Sequence, residues 1–214
     1  MLEALLRLLE RSPDAPSSVT DPSASIDVHV ADSLSGLDLL RSRRSLEAIA
    51  DLGSGAGFPG LPLAIGLPEV RIDLLEAMRR KCAFLERAIA EIELENARVV
   101  CRRAEEWGGA EGRERYEAVT VRAVGRLPTI VEYAAPLLRD RGLLVAWRGH
   151  RDRSDEEAGA DAAALLGLRP LGIVPVEPFP GAGERYLHTY ERIAALPHGY
   201  PRRVGVARKR PLGA

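Results

Sequence analysis

An α/β fold, with a mostly parallel seven-stranded sheet ending in an antiparallel hairpin, is predicted by three observations. From Leu46 onward, short apolar runs alternate with longer stretches of helical periodicity, the pattern of strand-helix-strand units. The first of these runs passes into a glycine-dense segment, Asp51-Leu52-Gly53-Ser54-Gly55-Ala56-Gly57-Phe58-Pro59-Gly60. The last two runs are joined by Pro178-Phe179-Pro180-Gly181, a loop short enough for a hairpin. A chain of 214 residues, 46% hydrophobic and 29% charged, buries roughly 70% of its unfolded surface on folding. One domain with short extensions is therefore expected: a helical extension over 1–45, the sheet domain over 46–195 and a basic tail over 196–214.

Leucines at positions 2, 5, 6 and 9 recur at the spacing of one helical face, and residues 12–25 are rich in Pro, Ser and Asp; a short amphipathic helix and a loop follow. Residues 28–40 predict a second helix with Leu34, Leu37 and Leu40 on one side, and 41–44 is a basic linker. Strands are predicted near 46–52, 70–75, 97–101, 116–121, 142–147, 168–176 and 185–193. Met78, Cys82, Leu85, Ile89 and Ile92 follow one helical face; 127–138 and 155–166 supply two more helices. Cys82 and Cys101 fall in a predicted helix and strand with no other Cys or His at ligand spacing. Both are read as free packed thiols, and no metal site is expected.

A formal net charge of -1 argues against a protein that wraps nucleic acid with its whole surface. The C-terminus is a local exception: Arg202, Arg203, Arg208, Lys209 and Arg210 occur with no acid from Tyr200 to Ala214. They are candidate RNA-phosphate contacts, set against the bland reading of a solvated tail. The longest apolar runs, such as Leu61 to Leu67, fall far short of the ~20 residues of a bilayer span. The start, Met1-Leu2-Glu3-Ala4, has no basic leader. No membrane association and a cytoplasmic location are expected.

Glycines at every second position, Gly53, Gly55 and Gly57, let the chain turn sharply out of the first strand and bring bare backbone against a ligand. A helix starting near Pro59 tolerates both Pro59 and Pro62, which fall where first-turn amides have no internal partner. Those amides suit a carboxylate such as the methionyl end of S-adenosylmethionine. Gly55 to Gly60 also fits the G-x-G-x-x-G dinucleotide pattern, a weak match on its own. Asp51 ahead of the loop, the extra Gly53 and the lack of room for a separate substrate domain disfavour the dinucleotide reading. No Gly-Lys-Ser/Thr follows, which excludes a Walker phosphate loop. Parallel units closed by an antiparallel pair describe many methyltransferases that use S-adenosylmethionine, the Rossmann-like class I fold.

In such sheets, ligands bind beyond the carboxyl ends of the strands, so the residues just past each strand are the binding candidates. Glu76 ends the second strand, where a carboxylate accepts from both ribose hydroxyls. After the third comes Ala104-Glu105-Glu106, where a backbone N–H and a carboxylate read an adenine edge; Glu105 is the better candidate, with Glu106 left open. After the fourth, Arg122 puts a cation near the ligand carboxylate or the incoming substrate; the alternative is a structural ion pair.

Several segments together resemble one family, the ribosomal RNA small subunit methyltransferase G family. They are His29 to Leu34, the loop from Asp51 to Pro62, Leu75-Glu76 with Lys81 to Leu85, Arg103-Ala104-Glu105, Arg122-Ala123, and Tyr200-Pro201-Arg202-Arg203 with Pro211-Leu212. Phe58-Pro59-Gly60-Leu61-Pro62 and the Tyr-Pro-Arg-Arg tail are the most specific of these. The resemblance implies a guanine-N7 methyltransferase acting on 16S ribosomal RNA, free or in a small-subunit assembly intermediate. It also implies S-adenosylmethionine held by Gly53, Gly55, Phe58, Glu76, Ala77, Met78, Ala104, Glu105 and Arg122. The chain departs from the family pattern at Ser18-Val19-Thr20, Val28, Val121 and Arg148. Guanine N7 carries a lone pair and no proton, so direct displacement needs no general base and no catalytic base is assigned. Arg122 or Arg148 is a candidate donor to guanine O6, and His29 a lesser candidate for the pocket. The alternatives are a divergent adenosylmethionine-dependent methyltransferase with another substrate and a non-catalytic adenosylmethionine-binding scaffold.

Overall fold

The structure, a computed structural model, describes residues 1–43 and 45–213; Arg44 of the basic linker and Ala214 at the end of the tail lie outside the described residues. The chain opens with α1 (Leu2–Arg11), α2 (Pro22–Ser25), a π-helical turn (Ile26–Ala31), α3 (Asp32–Leu34) and α4 (Leu37–Arg41). The helix expected over 28–40 is thus in three pieces. A side chain at Gly36, where they divide, would meet Trp147: its Cβ would stand 2.4 Å from Cζ2 of the indole.

Alternation then follows: β1 (Ala48–Leu52), α5 (Gly60–Gly66), β2 (Arg71–Glu76), α6 (Arg79–Glu91), β3 (Ala97–Cys101), α7 (Ala104–Gly108), β4 (Tyr116–Arg122), α8 (Leu127–Ala134) and β5 (Leu138–Arg148). The chain continues through α9 (Arg153–Leu165), β6 (Leu168–Pro175), β7 (Tyr186–Arg192) and α10 (Val206–Lys209). The seven strands form one sheet in the order β3-β2-β1-β4-β5-β7-β6. β1 to β5 pair in parallel, and β7 runs antiparallel to β5 and β6. Seven strands and the terminal hairpin agree with the sequence expectation; the fifth strand starts earlier than 142 because Leu138 pairs with Tyr116 across a bulge.

Successive strand residues point to opposite faces, so β1 feeds two cores. Ile49 joins Leu5, Leu9, Leu61, Ile72 and Phe84 on one face, while Ala48, Ala50 and Leu52 join Trp107, Val121, Ile130 and Leu144 on the other. The leucines of α1 at 5 and 9 are fully buried, which binds the N-terminal extension into the domain. The tail is also packed. Ala207 is buried, Thr129 donates to its carbonyl at 3.3 Å, and Arg202 pairs with the buried Glu132.

One expectation is overturned: Cys82 and Cys101 are bridged as a disulfide, Cα to Cα 5.8 Å. Sequence spacing spoke only of metal ligation. The fold sets Cys82, in the first turn of α6, beside Cys101 at the end of β3, and no local periodicity encodes that contact.

Candidate functional site

The strand order reverses between β1 and β4, and the loops leaving β1 to β4 meet at that edge, the usual ligand position in open parallel sheets. Gly53, Gly55 and Gly57 have φ of 71°, 58° and 97°, a region that L side chains avoid. At Gly53 a Cβ would stand 2.6 Å from Val124 Cγ2, and at Gly57 2.3 Å from Leu61 Cδ1, so glycine is required there for space as well as for conformation. The Gly53 and Ser54 amides donate to the Leu75 carbonyl at 2.8 and 3.2 Å, tying the loop to the end of β2.

Glu76 completes that tie. Its Oε1 accepts from the Ala77 and Met78 amides at 2.8 and 2.9 Å, and its Oε2 from the Gly55 amide at 3.1 Å. An ionised carboxylate offers about four lone-pair sites, so three N–H groups orient Glu76 and still leave capacity for a ligand hydroxyl. It is 7% exposed and lines a cleft with Gly53, Ala77, Ala104, Glu105 and Tyr133. Met78, by contrast, is half exposed at the start of α6. Of the two acids left open after β3, Glu105 lines the cleft. Glu106 is exposed and accepts from the Arg103 amide at 3.2 Å, closing the first turn of α7. Glu105 Oε1 also accepts from the Gly205 amide at 2.8 Å, a contact from the tail that no local pattern in the chain anticipates.

A neighbouring cleft is bounded by Ser54, Gly55, Phe58, Lys81, His29 and Arg122. Here Arg122 acts as a clasp. Its Nη1 donates to the Val28 carbonyl at 3.0 Å and to Asp32 Oδ2 at 2.7 Å, and its Nη2 stands 3.3 Å from His29 Nδ1. The guanidinium lies over the Phe58 ring, 5.6 Å to the centroid, and His29 stacks on that ring at 4.6 Å. Burial, together with the Arg122 charge, pushes the His29 pKa below its usual value. With Nδ1 facing Arg122, the network assigns the proton to Nε2, where Ser17 Oγ and the Val19 carbonyl lie at 2.8 and 3.1 Å. The imidazole is thereby a neutral, fixed wall.

Arg148 is equally engaged: Nη1 donates to the Gly125 carbonyl at 2.6 Å and Nη2 to Asp155 at 2.9 Å. Arg202 is held by Glu132 and by the Arg210 carbonyl, whereas Arg203, Arg208, Lys209 and Arg210 are exposed. A further pocket of 350 Å³ shares His29, Arg122 and Ala123 with the cleft beside Phe58 and adds Asp32, Trp147 and Arg185. These last three were missed. Asp32 stands three residues after His29 on a helix, a spacing that puts both on one face; Trp147 and Arg185 come from distant strands and left no local signal. Among the described residues no group of acids, His and Cys is placed to hold a metal, and no helix is long and apolar enough to cross a membrane.

Comparison with known proteins points one way. The family model described as GidB, rRNA small subunit methyltransferase G, matches residues 16–178. The ribosomal RNA small subunit methyltransferase G of Roseiflexus castenholzii is 40% identical over 92% of this chain and 83% of its own length. That of Desulfitobacterium hafniense is 36% identical over 92% and 81%. In fold, the chain is similar to a SAM-dependent O-methyltransferase from Thermotoga maritima, with a TM-score of 0.61 at 14% identity over 85% of this chain and 69% of that one.

Proposed function

The chain belongs to the rRNA small subunit methyltransferase G family, and from that premise we propose that it uses S-adenosylmethionine to methylate N7 of a guanosine in 16S ribosomal RNA, in the cytoplasm. The observation that supports this reading is the junction of two spaces at one wall. The cleft beside Phe58, floored by the Gly53 to Gly55 backbone and joined through Gly53 to the cleft that holds Glu76, meets a separate pocket of 350 Å³ across His29 and Arg122. The residues present fit the cofactor. Gly53 and Gly55 keep side chains out of its path, Glu76 is turned to accept from the ribose hydroxyls, and Glu105 with the Ala104 backbone faces the adenine position. Gly55 and Phe58 in the neighbouring cleft, with Ala77, complete the contact surface; Met78 contributes its backbone N–H to Glu76 rather than a side chain.

When bound, S-adenosylmethionine supplies a sulfonium methyl group to the attacking atom. Guanine N7 has no proton to surrender, so the residues around it need only align it. That accords with a His29 whose two ring nitrogens are already engaged and with the Arg122 guanidinium locked by Asp32. Alignment of two bound reactants contributes about 7 to 11 kcal/mol of effective molarity. Arg122 and Arg148, both held by the protein, line the pocket that receives the base. The exposed tail cations contact phosphates of the RNA, whether free or in an assembling small subunit.

The reading is tested by mass spectrometry of 16S RNA from cells with and without the protein. Loss of one N7-methylguanosine in the deletion strain, restored by purified protein and labelled cofactor, is the expected result. An unchanged N7-methylguanosine signal overturns it.

A further inference from the structure

The pocket beyond His29 and Arg122 holds a feature that the family reading does not use. Asp32 is 5% exposed. Its Oδ2 is taken by Arg122 at 2.7 Å, but Oδ1 is buried and has no hydrogen-bond partner, although the residue lines the pocket. Arg185 Nε approaches Oδ1 only to 3.5 Å, with its side chain 31% exposed at the rim. The Trp147 indole donates to the Asp32 carbonyl at 2.9 Å, which fixes the backbone beneath the carboxylate. A buried carboxylate oxygen without a donor is costly, and within such a pocket the missing donor is one that a ligand brings.

A volume of 350 Å³ lies at the small end of ligand pockets. The donor must come on a small group, and a group read by an acid flanked by arginines must also offer acceptors. Guanine presents both: N1–H and the 2-amino group as donors, O6 and N7 as acceptors. Adenine presents a bare N1 on the same edge, which would face the carboxylate lone pair to lone pair. Proteins that act on bases extruded from RNA structure commonly read this Watson–Crick edge.

We propose that Asp32 is the residue that selects guanine: its Oδ1, which faces Arg185 at 3.5 Å without a hydrogen bond, accepts from the N1–H and 2-amino group of the target base, with Arg185 moving aside to donate to O6. The proposal rests on the guanosine reading above and adds to it the residue that discriminates the base. Arg122 keeps Oδ2, so the same carboxylate both anchors the wall beside Phe58 and reads the substrate.

The test pairs a change in the protein with a change in the base. The full chain and Asp32→Asn are assayed on small-subunit RNA carrying guanosine, and then inosine, at the position that the unmodified reaction labels. Inosine lacks only the 2-amino group. For the unaltered protein, inosine is expected to lower kcat/KM by about ten- to a hundredfold, the loss typical of a hydrogen bond to a charged group. Asp32→Asn is expected to lose a similar factor on guanosine and little more on inosine. The Kd for S-adenosylmethionine is measured for both proteins by calorimetry, so that any loss at the Arg122 wall is separated from the ratio of guanosine to inosine, which reports on Asp32 alone. Inosine reacting as well as guanosine, or Asp32→Asn retaining full discrimination, overturns the role of Asp32 and leaves the methyltransferase reading intact. Failure of the unaltered protein to methylate guanosine sinks both. If Asp32→Asn does not fold, the inosine comparison on the unaltered protein decides alone.

Discussion

Glu76 is the residue on which the cofactor cleft turns, because it joins three structural duties to one chemical one. Its two oxygens collect the amides of Gly55, Ala77 and Met78, so the glycine loop and the exit of β2 are positioned by the same carboxylate that faces the ribose. Glu76→Gln keeps one acceptor oxygen but loses the charge, and hydrogen bonds to charged groups contribute roughly 1.5 to 3 kcal/mol. S-adenosylmethionine binding measured by calorimetry is therefore expected to weaken about ten- to a hundredfold in Glu76→Gln. Glu106→Gln, in the exposed acid that closes the first turn of α7, should bind as the unaltered protein does. If both bind alike, Glu76 is not a cofactor ligand. The acid, its distance from the loop and its place at a strand end are all visible in the sequence. Its orientation is not, because the three amides converge only after β1 and β2 pair.

Two pairs of elements decide how the cleft is held. α6 and β3 flank it and are joined by Cys82–Cys101, which closes a loop of separation 19. A link of that length stabilises by about 3 kcal/mol in the chain-entropy account. Urea denaturation with and without reductant should show a loss of that order for the unaltered protein and none for Cys82→Ser; equal midpoints in every sample would show that the bridge does not form in solution. The tail and α7 form the second pair, through the Gly205 amide and Glu105. With Arg202 committed to Glu132, four tail cations remain exposed. Changing Arg203, Arg208, Lys209 and Arg210 to Gln leaves the packed Ala207 and the Gly205 contact in place. If all four meet phosphates of a single strand, the slope of log K for RNA against log salt becomes shallower by about 2.8, while cofactor affinity stays the same. An unaltered slope would remove the tail from RNA binding.

For the whole molecule, the central strand carries a buried acid whose titration reaches global stability. Asp51 is fully buried in β1, accepts from Thr120 at 2.9 Å and leaves Oδ2 without a partner. Burial pushes its pKa from 3.8 up to about 6. The folded state thus keeps a proton that the unfolded chain has already released, so this group's contribution is present below about pH 4 and is lost as pH rises through about 6. Asp51→Asn, which still accepts from Thr120, should gain stability relative to the unaltered protein as pH rises from 4 to 7. Its advantage, on the order of 2 to 3 kcal/mol, is read from denaturation at each pH; a difference constant across that range would refute the assignment. Sequence periodicity by itself determined the seven strands, the hairpin and the glycine loop, because these depend on contacts within a few residues or on residue types with few conformations. It likewise placed Glu76 and Glu105 at strand ends, where an open sheet binds its ligand. Only the tertiary structure decided that Arg122 clasps Asp32, that His29 stacks on Phe58, that the two cysteines meet and that the tail reaches Glu105. Each of those joins elements distant along the chain, and such a pairing exists only once the strand order has set which ends are neighbours.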